Sequence, residues 1–267
     1  MTATVNGIRI VYSDTGRGVP LVCLHGGMGV DAGALRVPGI LNLAKLGVRV
    51  IIPDQRGHGK SERSSRSAYS HDTWAVDAHD LTASLGLSRF ALLGHSYGGF
   101  LALEYATRWP ESLTHVVLVA TSAGPVSVRP ADVATDADLR EHFRSVWPRF
   151  FVTDDKHWAL FETLEFSVDA YIAAFTRELP RYDLRGQVSA LDVPALLIVG
   201  SGDPYRAHME WLERRLPNAT LHVLDRVGHF PFVEASEEFT QRVAAFINDR
   251  DRLSKHRRRS IRHLPRD

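Results

Sequence analysis

A hydroxyl, a carboxylate and an imidazole follow one another along this chain, each just beyond a run that reads as a β-strand. The hydroxyl belongs to Ser96, in Gly94-His-Ser-Tyr-Gly98, between the apolar run Phe90-Ala-Leu-Leu-Gly94 and the helical stretch Phe100–Thr107. Gly-x-Ser-x-Gly alone is a weak signal. Between a strand and a helix it predicts a sharp turn that lifts the serine above the sheet, with glycines where side chains would collide. A serine hydroxyl attacks poorly until a base takes its proton, and that base needs an acid to orient it. Asp203 follows the strand run Ala195–Val199, and His229 follows the run Thr220–Leu224. Both fall on the sheet edge of Ser96, so Ser96 is expected as nucleophile, His229 as base and Asp203 as acid. Asp54 precedes the serine, Asp225 stands four residues before His229, and no acid directly follows Val116–Ala120. An aspartate in Gly-Asp-Pro can owe its place to turn chemistry alone. The order and placement of all three residues favour the catalytic reading.

Acyl transfer also develops negative charge on the substrate carbonyl oxygen, which two fixed backbone N–H groups can stabilise. Tyr97, directly after the nucleophile, is expected to give one. Gly27, in His25-Gly-Gly-Met-Gly29, is expected to give the other, with Met28 as the alternative. Met28, Trp158, Phe161 and Phe230 are expected to line the substrate pocket. His25, His58 and His95 read as local hydrogen-bonding residues. The histidines lack metal-ligand spacing, so no metal and no cofactor is expected.

The elements that must carry these groups alternate. Val5–Tyr12 reads as a strand pair around Asn6-Gly7, and Leu21–Leu24 and Val48–Pro53 as buried strands. Ile40–Leu46 reads as an amphipathic helix stopped at Gly47. Trp74, Ala78, Leu81 and Leu85 keep helical spacing, as do Phe239, Val243, Phe246 and Ile247 near the end. Continuous apolar strands between helices predict a mostly parallel sheet covered on both faces. From 123 to 188 the alternation stops. That stretch is helical and aromatic, punctuated by Pro130, Pro148 and Pro180, and is expected to be a lid over the strands' carboxyl ends. Core 1–122 and 189–249, lid 123–188 and tail 250–267 are the expected divisions.

The chain is 267 residues long, 44% apolar and 24% charged, and has a single cysteine, Cys23, which reads as a small buried hydrophobe. No run of about 18 apolar residues and no signal-peptide pattern is present, so a cytoplasmic protein with no membrane association is expected. The net charge of +1 hides an asymmetry: residues 250–267 carry eight Lys/Arg and two Asp, a net +6, which leaves −5 on the rest. Such a tail can bind nucleic acid, but an acidic body offers no groove to help it, so a solvated tail and no nucleic-acid partner are expected.

His25-Gly-Gly-Met-Gly29, Asp54-Gln-Arg-Gly-His-Gly-Lys-Ser61, Gly94-His-Ser-Tyr-Gly98, Gly202-Asp203 and Gly228-His-Phe-Pro-Phe-Val-Glu234 together resemble the α/β-hydrolase superfamily, over nearly the whole chain to about Asn248. Within it, the His-Gly-Gly, Asp-Gln-Arg-Gly and Ser-Tyr-Gly-Gly runs look like the proline iminopeptidase-like branch. That branch commonly has Pro where this chain has Met28. It binds a free amino terminus with lid glutamates, to which Glu162, Glu165 and Glu178 have no clear match. The resemblance implies the α/β-hydrolase fold and hydrolysis of small uncharged esters, lactones or amides. It also admits aminopeptidase activity, cofactor-free perhydrolysis and carbon–carbon bond hydrolysis with the same residues. A slow-turnover ligand receptor on this fold is the non-enzyme alternative. The partner expected is a small-molecule substrate; the oligomeric state is not legible.

Overall fold

The computed structural model describes residues 1–127 and 129–249. Eight strands form one sheet: β1 (Thr2–Val5), β2 (Ile8–Thr15), β3 (Val19–Leu24), β4 (Val48–Pro53), β5 (Phe90–His95), β6 (Leu113–Val119), β7 (Ala195–Gly200) and β8 (Ala219–Leu224). Their order is β1-β2-β4-β3-β5-β6-β7-β8. The β1–β2 and β2–β4 pairs are antiparallel and every later pair is parallel. Every residue of β5 and β7 is buried. A parallel strand covered on both faces needs such an unbroken apolar run. The edge strand β8 is half-buried over most of its length.

The helices are α1 (Pro38–Leu41), α2 (His71–Ser84), α3 (Tyr97–Arg108), α4 (Asp136–Val146), α5 (Trp158–Glu162), α6 (Val168–Ala173), α7 (Arg206–Arg215), α8 (Pro231–Glu234) and α9 (Ser236–Asn248). The Ile40–Leu46 helix expected from the sequence is instead α1 followed by a 3-10 turn over Asn42–Leu46, closed by Gly47 in the left-handed region at φ 80°. The buried face of α9 holds Phe239, Val243, Phe246 and Ile247. Between β6 and β7 the chain forms α4, α5 and α6, joined by 3-10 turns and a π-helical turn at Ala174–Glu178. This insert touches the core loops directly. Asp31 N–H donates to Glu165 O (3.1 Å) and Ser167 N–H to Gly29 O (2.8 Å), flanking a bridge between Val30 and Phe166. The basic stretch 250–267 lies outside the described residues.

Candidate active site

β5 delivers Ser96 into a backbone conformation that a serine rarely adopts, φ 52° and ψ −118°, directly before α3. Close packing holds the turn there. A Cβ on Gly98 would lie 2.1 Å from Leu24 O, and one on Gly26 would lie 2.8 Å from Ser96 Cβ. Glycine at these positions lets the elbow and the Gly26–Gly27 loop press together. Thr121 Oγ1 donates to Ser96 O (2.8 Å), and Ser96 N–H donates to Val119 O (2.8 Å).

Asp203 and His229 come from the loops after β7 and β8 and meet at 2.7 Å, Nδ1 to Oδ2. Both side chains are almost wholly buried. Burial alone would raise the Asp203 carboxyl. The His229 charge, the His229 hydrogen bond and the Tyr205 N–H at 2.6 Å outweigh it and hold the carboxyl below its ordinary value. An ionised carboxylate only accepts hydrogen bonds, so His229 Nδ1–H is the donor and Nε2 is left as the basic nitrogen.

The backbone of His229 is clasped from both sides. Its N–H donates to Phe150 O in the insert (2.7 Å), and its carbonyl accepts from His95 Nε2 in the core (2.8 Å). Phe150 stacks on the imidazole with ring centres 5.4 Å apart.

The other buried histidines brace the loops. His58 Nε2 accepts from Gly29 N–H (2.8 Å) while its Nδ1–H donates to Arg56 O (2.9 Å). His25 Nε2 accepts from Gln55 N–H (3.1 Å). Burial pushes His25, His58 and His95 each down to about 3, so all three are neutral. Asp54 accepts from Arg36 (2.7 Å) and the Lys60 N–H (3.2 Å). Arg56 makes a buried two-pronged pair with Asp77 of α2 at 2.6 and 2.7 Å. The Asp-Gln-Arg-Gly-His run is thus a structural knot beneath the Gly-rich loop. Asp225 is exposed and points to Ser201 at 3.5 Å.

Ser96 and His229 open on one cavity of about 330 Å³. Gly26, Gly27, Leu35, Val146, Phe175 and Phe230 are among its walls. Tyr97 starts α3, where helix geometry leaves its N–H without an acceptor. Three expected lining residues lie elsewhere, which corrects the sequence reading. Met28 is fully buried, its sulfur 3.7 Å from Gln55 Nε2. Phe161 is fully buried beneath Arg140 and Arg144. Trp158 is 40% exposed on the outer side of the insert. Helical spacing shows that α5 has an apolar face but not which layer that face meets.

Glu162 and Glu165 are exposed, and Glu162 pairs with Arg140 and Arg144. Glu178 accepts from the His71 N–H (3.1 Å) and pairs with Arg177. None of the three lines the cavity. Sequence reasoning missed Asp31, Arg129, Arg149, His142 and Tyr205 as wall residues. Burial raises Asp31 to about 6, with the Asp54 charge adding to it. The position of Asp31 two residues after the Gly-rich loop was the available signal. Among the described residues, no three His, Cys, Asp or Glu side chains converge as metal ligands would.

The sequence profile of the α/β hydrolase family matches residues 21–242. The chain belongs to that family. This α/β hydrolase is 30% identical to a 2-hydroxymuconate semialdehyde hydrolase of a Pseudomonas species, over 92% of each chain. It is 26% identical to a proline iminopeptidase of Clostridioides difficile, over 91% of this chain and 94% of that one. Among solved structures, an enol-lactonase of Burkholderia xenovorans superposes with a TM-score of 0.81 at 24% identity, covering 93% of this chain and 100% of the other. The last likeness speaks for the fold.

Proposed function

We propose that this α/β hydrolase cleaves a small ester, lactone or amide through an acyl-enzyme on Ser96. The observation that carries the reading is the 2.7 Å contact of His229 with a buried, ionised Asp203, on the same cavity as a serine held at positive φ. Ser96 attacks the carbonyl carbon as His229 Nε2 takes the hydroxyl proton. The backbone N–H groups of Gly27 and Tyr97 receive the oxyanion. Its collapse expels the leaving group, which takes the proton from His229. Water, deprotonated by His229, then attacks the acyl-enzyme and frees Ser96.

Esters and lactones are favoured over aminoacyl amides. A pocket for a free amino terminus needs inward carboxylates; the three candidate glutamates lie off the cavity, and the one carboxylate among its walls, Asp31, is engaged by the Glu165 N–H and by Arg36. The test is labelling with a fluorophosphonate probe, then turnover of esters, lactones and prolyl amides. Probe mass on Ser96, with esters or lactones ahead of prolyl amides by at least about tenfold in kcat/KM, supports the reading. No labelling, or efficient prolyl-amide cleavage, overturns it. A second reading, carbon–carbon bond hydrolysis by the same residues, is favoured by the relative named a 2-hydroxymuconate semialdehyde hydrolase. Adding that semialdehyde to the panel decides between the two.

A further inference from the structure

The cavity has a charge imbalance that neither the nucleophile nor the apolar walls explain. Three of its wall residues are formally charged: Asp31, Arg129 and Arg149. Asp31 is 7% exposed and already engaged. It accepts from the Glu165 N–H (3.3 Å) and stands 3.8 Å from Arg36. Arg129 and Arg149 are exposed, so they stand where the cavity meets solvent. Neither has an ion-pair partner among the described residues.

Most arginines of the insert are neutralised by an acid on the same insert. Arg140 and Arg144 meet Glu162, Arg177 meets Glu178, and Arg185 meets Asp183. Arg181 has no such partner among the described residues, but it lies off the cavity.

Arg149 is also fixed in place. It lies in the turn Trp147–Phe150, next to the residue whose carbonyl holds the His229 N–H at 2.7 Å and whose ring stacks on the imidazole. Its backbone is therefore tied, through Phe150, to His229. A guanidinium pairs with a planar carboxylate through two parallel N–H···O bonds. Apolar walls on the inner side strengthen that pairing by reducing competition from water.

We infer that Arg149, assisted by Arg129, makes the cavity mouth a receptor for an anionic group. The substrate is then an ester, lactone or amide carrying a carboxylate on the part that reaches the mouth, its apolar portion filling the chamber. This deepens the hydrolase reading above and departs from the uncharged substrate expected from the sequence.

The test is equilibrium binding, which needs no turnover: isothermal titration of the full chain with phenylacetate and with the neutral 2-phenylethanol. Phenylacetate should bind at least about tenfold more tightly at about 20 mM salt, and the advantage should shrink at about 500 mM as the charges are screened. Arg149→Gln should remove most of the advantage, and Arg149→Lys should restore part of it. Should Arg149→Gln fail to fold, Arg129→Gln and the salt series carry the test. Equal or tighter binding of the alcohol, no measurable binding of phenylacetate, or an advantage untouched by both arginine variants overturns the inference. An enzyme that binds phenylacetate in this way yet turns over no ester, lactone or amide overturns the hydrolase reading instead.

Discussion

Residues 90–119 and the insert between β6 and β7 bury apolar surface in opposite ways. In the first, every residue of β5 is buried, backbone lies against backbone at Gly98, and β5 pairs with β6 from Phe90 to His95 with one shift of register. In the second, short helices are joined by 3-10 and π turns, and aromatic rings are covered by arginines. Arg140 and Arg144 sit 5.0 and 4.9 Å above the Phe161 ring. A core fixed by close packing can hold a strained serine at no further cost in order. Helices five or six residues long, held by exposed ion pairs, can change their side chains with little effect on the fold. On the proposed function, chemistry falls to the first region and selection to the second, a contrast that can be broken at several points.

The largest effect belongs to the core. Ser96→Ala should lower kcat on the order of 10³-fold or more, and Asp203→Asn on the order of 10⁴-fold, while the melting temperature moves little. Steady-state rates beside thermal melts check this. If Asp203→Asn keeps most activity and Asp225→Asn loses it, the acid is misassigned.

Next comes acid. His25, His58 and His95 are held down at about 3, against 6.5 for a free imidazole. Above pH 6.5 neither the folded nor the unfolded chain protonates them. As pH falls from 6.5 toward 3, only the unfolded chain does, and it is favoured by up to about 1.4 kcal/mol per pH unit per histidine. Asp31, raised to about 6, works the other way: its contribution is complete below about 3.8 and is lost as pH rises through 6. The three histidines outweigh it. Urea unfolding at pH 7, 6 and 5 should therefore show a loss of several kcal/mol, and a flat profile would contradict the burial of three neutral rings.

The Arg56–Asp77 pair comes third. Both side chains are 6% exposed, so Asp77→Asn strands a buried guanidinium and should cost about 3 kcal/mol of stability in chemical denaturation. A loss below about 1 kcal/mol would mean that this knot is wetter than it looks.

The smallest effect should fall on the insert. Glu162→Gln breaks two exposed ion pairs and should shift the melting temperature by no more than about 2 °C. It should also leave the ratio of ester to prolyl-amide turnover unaltered. A collapse of amide cleavage in this variant would give the glutamate a role in the pocket and erase the contrast between the regions.

The same contrast explains what could be read from the sequence. Buried parallel strands announce themselves as runs such as Ala195–Val199, and the glycines around Ser96 mark contacts only glycine allows. The placement of Ser96, Asp203 and His229 just beyond strand ends was legible because each residue follows such a run. The insert was legible as helical, but not as a surface. Trp158 and Phe161 share a helix five residues long, and one is exposed while the other is fully buried. Their surroundings depend on where α4 crosses, which no local pattern encodes. Met28 misled for a related reason. In the loop His25–Gly29 the backbone faces the cavity while the methionine side chain turns inward to Gln55. Arg149 carried no signal at all, since an arginine beside a proline reads as ordinary surface.

The clasp on His229 has a kinetic consequence. Phe150 belongs to the insert and His95 to the core, and together they hold the N–H and the carbonyl of His229. If the Trp147–Phe150 turn swings away to admit a molecule, the His229 amide loses its acceptor and the imidazole loses its stacking partner. On the proposed mechanism, wide opening at that corner loosens the base's backbone and ring contacts and leaves the Asp203 bond alone to orient it. On that reading, a molecule entering past the loop that carries Arg129 leaves the clasp shut, and one entering past Trp147–Phe150 loosens it. In the second case the proposed bond-breaking step is fastest once the doorway has shut behind the molecule.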